Sequence, residues 1–407
     1  GELSFADLDA VARALQHELR ADGVRPGDRV LVLAENTPEH VALIVACSRL
    51  GAWLCGVNAR MAPGEVDAFV QLADARQLYF TSGVSAAARA HADRLGAQAS
   101  VCAGLQRGWP NPHAVAESGP QGVDDRFQAP DVAALIFTSG TTGRPKGVLL
   151  THPALLHFAR VSAASRALGP DDRSYAFVPM THIFGLGTIL AASLHAGSSL
   201  VMRHAFDPDD LLRALAHERV SMLQGPPTLF ARLLQHLDAA GNRGALSAPH
   251  LRYAYTGAGP LDAALKARTE ARLGLPLHHG YASSEVPGCC VTPMDAPRTD
   301  TSAGYPLPGL ALRLVDGEGR DVAPGDTGEI WIRGPNVTPG YFRDADATRA
   351  VFRPGGWYAS GDLGRHGSDG ALHVAGRLKE LIIRSGFNVY PAEVEAARTQ
   401  WEEDNKE

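Results

Sequence analysis

The residues best equipped for chemistry lie in one run, Thr138-Ser139-Gly140-Thr141-Thr142-Gly143-Arg144-Pro145-Lys146-Gly147. Glycines let successive backbone amides turn toward an anion, the hydroxyls add donors, and Lys146 adds positive charge. A polyphosphate suits this composition; the plain alternative is a surface turn rich in Ser, Thr and Gly. The run is not a Walker loop. That pattern needs Gly before its lysine and Ser or Thr after it, whereas here Pro145 precedes Lys146 and Gly147 follows. Gly280-Tyr281-Ala282-Ser283-Ser284-Glu285 carries an aromatic ring and a carboxylate close together, which alone would mean little. Tyr358-Ala359-Ser360-Gly361-Asp362 by itself would read as an ordinary Gly-Asp turn. Thr256-Gly257-Ala258-Gly259-Pro260-Leu261 contains a GxG but lacks the third glycine of a dinucleotide fingerprint. A fifth segment, Gly376-Arg377-Leu378-Lys379-Glu380, carries two cations; Lys379 by itself would read as a solvated surface lysine.

In this combination the five motifs resemble the adenylate-forming (AMP-binding) superfamily, in the branch of the acyl- and aryl-CoA synthetases. Luciferase and the adenylation domains of peptide synthetases belong to the same group. The resemblance extends from about residue 4 to residue 395. It implies that Thr138, Ser139, Gly140, Thr141, Thr142, Gly143 and Lys146 hold the phosphates of ATP, and that Gly257, Ala258 and Gly259 approach adenine. Gly280 and Tyr281 would lie against the base, Ser284 near the phosphates, and Glu285, with Ser284, on Mg2+. Asp362 would accept both ribose hydroxyls and Arg377 would contact ribose or phosphate. Lys379 matches the hinge about which a small C-terminal domain swings between half-reactions. Ala282 stands where the family usually has Gly. Gly328–Gly334 and Gly340-Tyr341 match a stretch that is mostly structural.

A further segment, Pro179-Met180-Thr181-His182-Ile183-Phe184-Gly185, resembles the family's acid-pocket motif, with His182 beside the reacting carboxylate. A satisfied buried histidine is the alternative for His182. Peptide-synthetase domains place an Asp near here to hold an ammonium. No Asp or Glu occurs from Ser174 through Phe206. An ammonium buried without a counter-charge is costly, so amino-acid substrates are disfavoured and a fatty or aromatic acid is expected. Adjacent His278 and His279 lack companions at metal-ligand spacing.

These motifs need a scaffold, and the pattern around them supplies one. Ser4 and Asp7 form a capping box ahead of Phe5, Leu8, Val11, Leu15 and Leu19 at helical spacing, and Gly23 stops that helix. Arg29–Leu33 reads as a strand, and Asn36-Thr37-Pro38 opens the next helix. Strands are expected again at Leu78–Thr81, Ala133–Thr138, Tyr175–Val178, Ser199–Met202, Val220–Leu223 and Arg252–Tyr255. This alternation predicts two layered α/β subdomains with largely parallel sheets. Beyond about residue 300, short strands at Leu310–Val315, Glu329–Arg333 and Ala371–Val374 predict a smaller antiparallel, barrel-like subdomain. Ala116 to Pro130 is the best loop candidate.

At 407 residues, 45% hydrophobic and 20% charged, the chain has ample material for a core. The net charge of -6, without runs of one sign, gives no reason to expect nucleic acid or an anionic membrane surface. Ser174 to Met202 is free of Asp, Glu, Lys and Arg, but Pro179 and its Gly, Ser and Thr residues favour a buried strand–helix–strand unit over a membrane span. Five cysteines (Cys47, Cys55, Cys102, Cys289, Cys290) without a CxxC pair fit a reducing, cytoplasmic compartment. We expect a large adenylation domain over 1–375, with 376–407 the hinge and the start of a C-terminal domain cut short relative to the family. The acidic stretch Trp401–Glu407 does not continue a strand pattern. The implied reaction uses ATP, Mg2+ and a carboxylic acid to form acyl-AMP, then transfers the acyl group to coenzyme A. A carrier-protein acceptor, a binding-only remnant and a homodimer are the alternatives, while the absence of a Walker lysine followed by Ser or Thr argues against an ATP hydrolase or kinase.

Overall fold

The structure, a computed structural model, describes residues 2–111, 113–117, 131–138, 145–380, 382–384, 387–389 and 398. It falls into two compact units. The first is Gly1–Arg160 with Tyr175–Phe206 and Thr338–Ala350; the second is Val161–Ser174 with Asp207–Val337 and Val351–Glu407.

In the first unit, helix Phe5–Ala21 starts where Ser4 accepts the Asp7 amide and Asp7 accepts the Ser4 amide, the expected capping box. Gly23, at φ +77°, turns the chain away in a conformation that a Cβ would strain. The sheet runs in the order Gln98–Ala99, Gln106–Gly108, Gln77–Phe80, Arg29–Ala34, Trp53–Asn58, Val132–Thr138, Lys146–Thr151. Its four central strands are parallel, as the strand–helix alternation implies, and its edges are antiparallel. Strand Arg29–Ala34 is buried on both faces, with Leu31 and Leu33 in one apolar cluster and Val30, Val32 and Ala34 in another. The charge-free stretch forms strand Arg173–Ala176, a π-helix Phe184–Ala191 continued by α-helix Ala192–Ala196, and strand Ser199–Met202. Among the described residues no helix is long and apolar enough to cross a membrane.

In the second unit, strands Met222–Gly225, Tyr253–Thr256 and Leu277–Tyr281 are parallel, and Cys290–Val291 and Tyr305–Pro306 extend them antiparallel. The first two begin one or two residues later than the sequence pattern suggests. Helices Pro208–His217 and Ala263–Leu273 are capped by Asp207 and Asp262. The antiparallel part is a five-stranded sheet: Ala311–Val315, Gly328–Arg333 and Trp357–His366, with Phe352–Arg353 and Leu372–Arg377 both pairing with the long strand Trp357–His366. Val286, Cys289, Cys290, Ile330, Ile332 and Tyr358 share one apolar cluster, which joins this sheet to the strand end that carries Tyr281.

Candidate functional site

Among the described residues, the first unit holds three of the expected ones, Thr138, Lys146 and His182. Strands Val132–Thr138 and Lys146–Thr151 form an antiparallel pair in which Thr138 is opposite Lys146. The two ends of the polyphosphate run are thereby set side by side. Ser139, Gly140, Thr141, Thr142, Gly143 and Arg144 lie outside the described residues. The Lys146 ammonium sits 4.8 Å from the ring centroid of buried Tyr341, a cation–π contact that directs the side chain. The strand beneath is tightly packed. A Cβ on Gly147 would come within 2.8 Å of Leu135, and the Gly147 carbonyl accepts the Phe342 amide at 2.7 Å. Gly340-Tyr341 therefore pads the Lys146 strand, the structural part expected of it.

His182 is exposed, unlike the buried histidine that was its alternative reading. Its Nδ1 accepts the Phe184 amide at 3.2 Å. The neutral ring then carries its proton on Nε2, which is left to donate. The protein packed around the ring lowers its pKa, so the neutral form persists below the usual histidine range.

The second unit holds the remainder. Tyr281 ends strand Leu277–Tyr281 and Asp362 lies in strand Trp357–His366. Although 81 residues apart, they meet: the Tyr281 hydroxyl donates to Asp362 Oδ2 at 2.6 Å. Arg377, opposite Asp362 in register, places Nε 3.6 Å from Oδ1. Arg377 is 60% exposed, so this ion pair contributes little stability. Burial raises the Asp362 pKa; Tyr281 and Arg377 oppose the shift, and the negative fields of Glu285 and Glu380 add to it. A carboxylate offers about four lone-pair positions, so Asp362 can still receive a diol while bonded to Tyr281.

Two residues that the motif reading left out of the site hold Asp362 in place. Between Glu329 and Trp331 the pairing with strand Trp357–His366 slips, and Ser360-Gly361-Asp362 bulges out. Ser360 Oγ donates to the Ile330 carbonyl at 2.7 Å and accepts the Asp362 amide at 3.0 Å. Glu329 accepts the Gly361 amide at 3.0 Å, and Gly361 takes φ +73°. A Ser-Gly-Asp sequence in the middle of a strand was the available signal.

Glu285 lies half-buried in a tight turn in which Ser283 Oγ accepts the Val286 amide at 3.1 Å, next to buried Ser284. Asn336 secures the following carbonyls of Pro287 and Gly288. Among the described residues no group of three potential ligands could cage a metal. Magnesium instead favours one or two carboxylates, completed by water and substrate phosphates. A single half-buried carboxylate such as Glu285 fits that pattern. In the Thr256–Leu261 loop, Ala258 is exposed at φ +61°, unusual for a residue with a Cβ. Lys379 is exposed in a short turn, Leu378–Glu380. Gly386 and residues 390–397 lie outside the described residues, as do 118–130 and 399–407. His278 stacks on Tyr253 with centroids 4.7 Å apart and pairs with Thr292, a packing role.

A family model described as AMP-binding enzyme matches residues 1–342. Over 399 residues the chain is 36% identical to an indoleacetate–CoA ligase from Aromatoleum aromaticum, which covers 97% of this chain and 77% of that one. It is also 36% identical over 403 residues to a feruloyl-CoA synthase from an Amycolatopsis species, at the same 97% and 77% coverage. Among solved structures, ATP-bound MatB from Rhodopseudomonas palustris superposes with a TM-score of 0.81 at 29% identity, covering 97% of this chain and 78% of that one.

Proposed function

The chain belongs to the AMP-binding enzyme family and is an AMP-forming acid–CoA ligase, and on that premise we propose which of its residues carry the two half-reactions. The carboxylate of the acid attacks the α-phosphorus of ATP in line, pyrophosphate leaves, and acyl-AMP forms. The thiol of coenzyme A then attacks the acyl carbonyl and AMP leaves. The protein contributes positioning and charge neutralisation. Asp362 accepts the ribose hydroxyls, Tyr281 lies against adenine, and the Gly257–Gly259 backbone borders the base. Arg377 adds positive charge on the ribose or phosphate side. Lys146, with Thr138 and the run that follows it, binds phosphate. Glu285, with Ser284 beside it, is the protein ligand for magnesium, which when bound neutralises phosphate charge. His182 donates from Nε2 to the carboxylate of the acid, and Lys379 is the hinge.

The observation that supports this reading best is the 2.6 Å bond between Tyr281 and Asp362. It unites two adenosine motifs that the sequence keeps far apart, and the fold achieves it through two different sheets. For the acid, we propose an uncharged, ring-bearing tail. The relatives named above act on indoleacetate and ferulate, and the segment around His182 is apolar and free of acidic residues. We also place the protein in a reducing, cytoplasmic compartment, the setting that five cysteines without a CxxC pair suit.

The test is pyrophosphate release with ATP and magnesium, supplying indoleacetate, ferulate, hexanoate or phenylalanine, followed by thioester detection after coenzyme A is added. Release with an aromatic acid, and none with phenylalanine, is expected. Release with phenylalanine alone would overturn the acid assignment.

A further inference from the structure

Between strand Arg173–Ala176 and helix Phe184–Ala191 the chain carries His182 through a segment with no sheet or helix of its own. Buried backbone groups in such a segment need partners from elsewhere. One side chain supplies three. Asn36 Nδ2 donates to the carbonyls of Ala176 at 3.3 Å and Val178 at 2.9 Å, and Asn36 Oδ1 accepts the Met180 amide at 2.9 Å. The carboxamide thus engages both of its ends with three alternate residues of the path that leads to His182.

Asn36 is itself held firmly. It is 6% exposed and lies between strand Arg29–Ala34 and Thr37, the N-cap of helix Pro38–Leu50. The neighbouring Glu35 amide donates to Thr81 at 3.0 Å. Two glycines press the segment down from other directions. A Cβ on Gly56 would lie 2.9 Å from Thr181 Cα, and one on Gly185 would lie 2.2 Å from the Pro179 carbonyl oxygen. The backbone before His182 is therefore confined by close contacts and threaded onto a single polar side chain. Helix capping, which Thr37 performs, does not require that side chain.

We propose that Asn36 is a positioning residue for the acid: its carboxamide sets the course of Ala176–Met180 and thereby the place of His182. This inference rests on the reading of His182 as the group beside the carboxylate of the acid.

The experiment is a double-mutant cycle with Asn36→Ala and His182→Ala. It uses whichever of indoleacetate, ferulate and hexanoate the protein turns over fastest, and reads pyrophosphate release. Each single variant should lose about tenfold or more in kcat/KM for the acid, with KM for ATP unchanged. The double variant should match His182→Ala to within about twofold, because the two residues act in series. If the losses multiply instead, Asn36 does not act through His182 and the proposal fails, while the His182 reading stands. If His182→Ala alone keeps parental kcat/KM, the His182 reading fails and takes the proposal with it. Should Asn36→Ala fail to fold, Asn36→Asp keeps the size and the acceptor for Met180 but turns an oxygen toward two carbonyls. Its readout is the imidazole nitrogen resonances of His182, which report the Nδ1 bond to Phe184 and require no acid. A shift is expected; unchanged resonances in the folded variant would overturn the proposal.

Discussion

Asp362 has the clearest pairing of partners in the proposed site, and its chemistry can be isolated. Asp362→Ala removes both acceptors for the ribose diol, two charge-assisted bonds, and should weaken AMP binding by about 2–4 kcal/mol in calorimetry. Equal affinity in mutant and parent would remove Asp362 from the site. The raised carboxyl pKa gives a second handle. The diol needs the ionised form, so adenosine affinity should fall as pH drops through the raised value, above the ordinary 3.8. The Tyr281 hydroxyl works against that rise. Tyr281→Phe should therefore move the midpoint of the pH titration further up, and should weaken adenosine by roughly 1–2 kcal/mol at pH 8. A midpoint that stays put would mean the bond does not matter. The same shift runs the other way for folding. A raised carboxyl pKa favours the protonated form in the fold, so its stabilising contribution is present at low pH and lost as pH rises through that value. Asp362→Asn should thus melt no lower than the parent at pH 8 while losing adenosine affinity.

At the scale of elements, two glycines can be tested for different reasons. Gly361 is at φ +73° with nothing within 4 Å of an added Cβ, so Gly361→Ala probes backbone strain alone. It should cost about 1–2 kcal/mol in denaturant titration and weaken AMP, because the bulge that presents Asp362 would have to move. Gly185 has the opposite problem. Its φ needs no glycine, but a Cβ would collide with the backbone of Pro179 and Val178. Gly185→Ala should cost roughly 1–3 kcal/mol as overpacking and impair use of the acid while sparing AMP binding. Equal effects of Gly185→Ala on both ligands would mean that the π-helix does not serve the acid in particular.

Across the molecule, stability and chemistry draw on different residues. Arg29 is fully buried in the first unit, and its guanidinium donates to the carbonyls of Gly27, Ala73, Asp74 and Val115, pairs with the Asp74 carboxylate at 3.0 Å and lies over the Phe342 ring. Three segments distant in sequence, around Ala73–Asp74, Val115 and Phe342, converge on one cation. Arg29→Ala would strand those buried acceptors and should cost on the order of 3–5 kcal/mol. Thermal unfolding should register the whole loss, with AMP affinity per folded molecule unchanged. A variant that melted like the parent would show that water replaces the guanidinium without cost.

Much was legible in the residues themselves because it depends on local chemistry. Ser4 and Asp7 cap their helix through neighbouring backbone, Pro38 starts the next one, and the alternation of apolar runs and helices forces parallel strands. Strand Ala133–Thr138 was legible from its apolar run, but its antiparallel pairing, which sets Thr138 opposite Lys146, was not. The segments proposed for adenine, ribose and metal were legible only through their order along the chain and their resemblance to the family's motifs. What no local pattern contains is which distant groups meet. Tyr281 hydrogen-bonds to Asp362 only because two sheets pack through Val286, Cys290, Ile330 and Tyr358. Asn36, which the sequence presents merely as part of a helix start, reaches the Val178 carbonyl across 142 residues because strand Arg29–Ala34 ends beside that segment. Side-chain type sets what a group can bond to, and its ionisation and its partners depend on burial and on neighbours that only the folded chain brings near. The sequence therefore determined the class of reaction and the inventory of groups for it, and the tertiary structure decided which of those groups are held together.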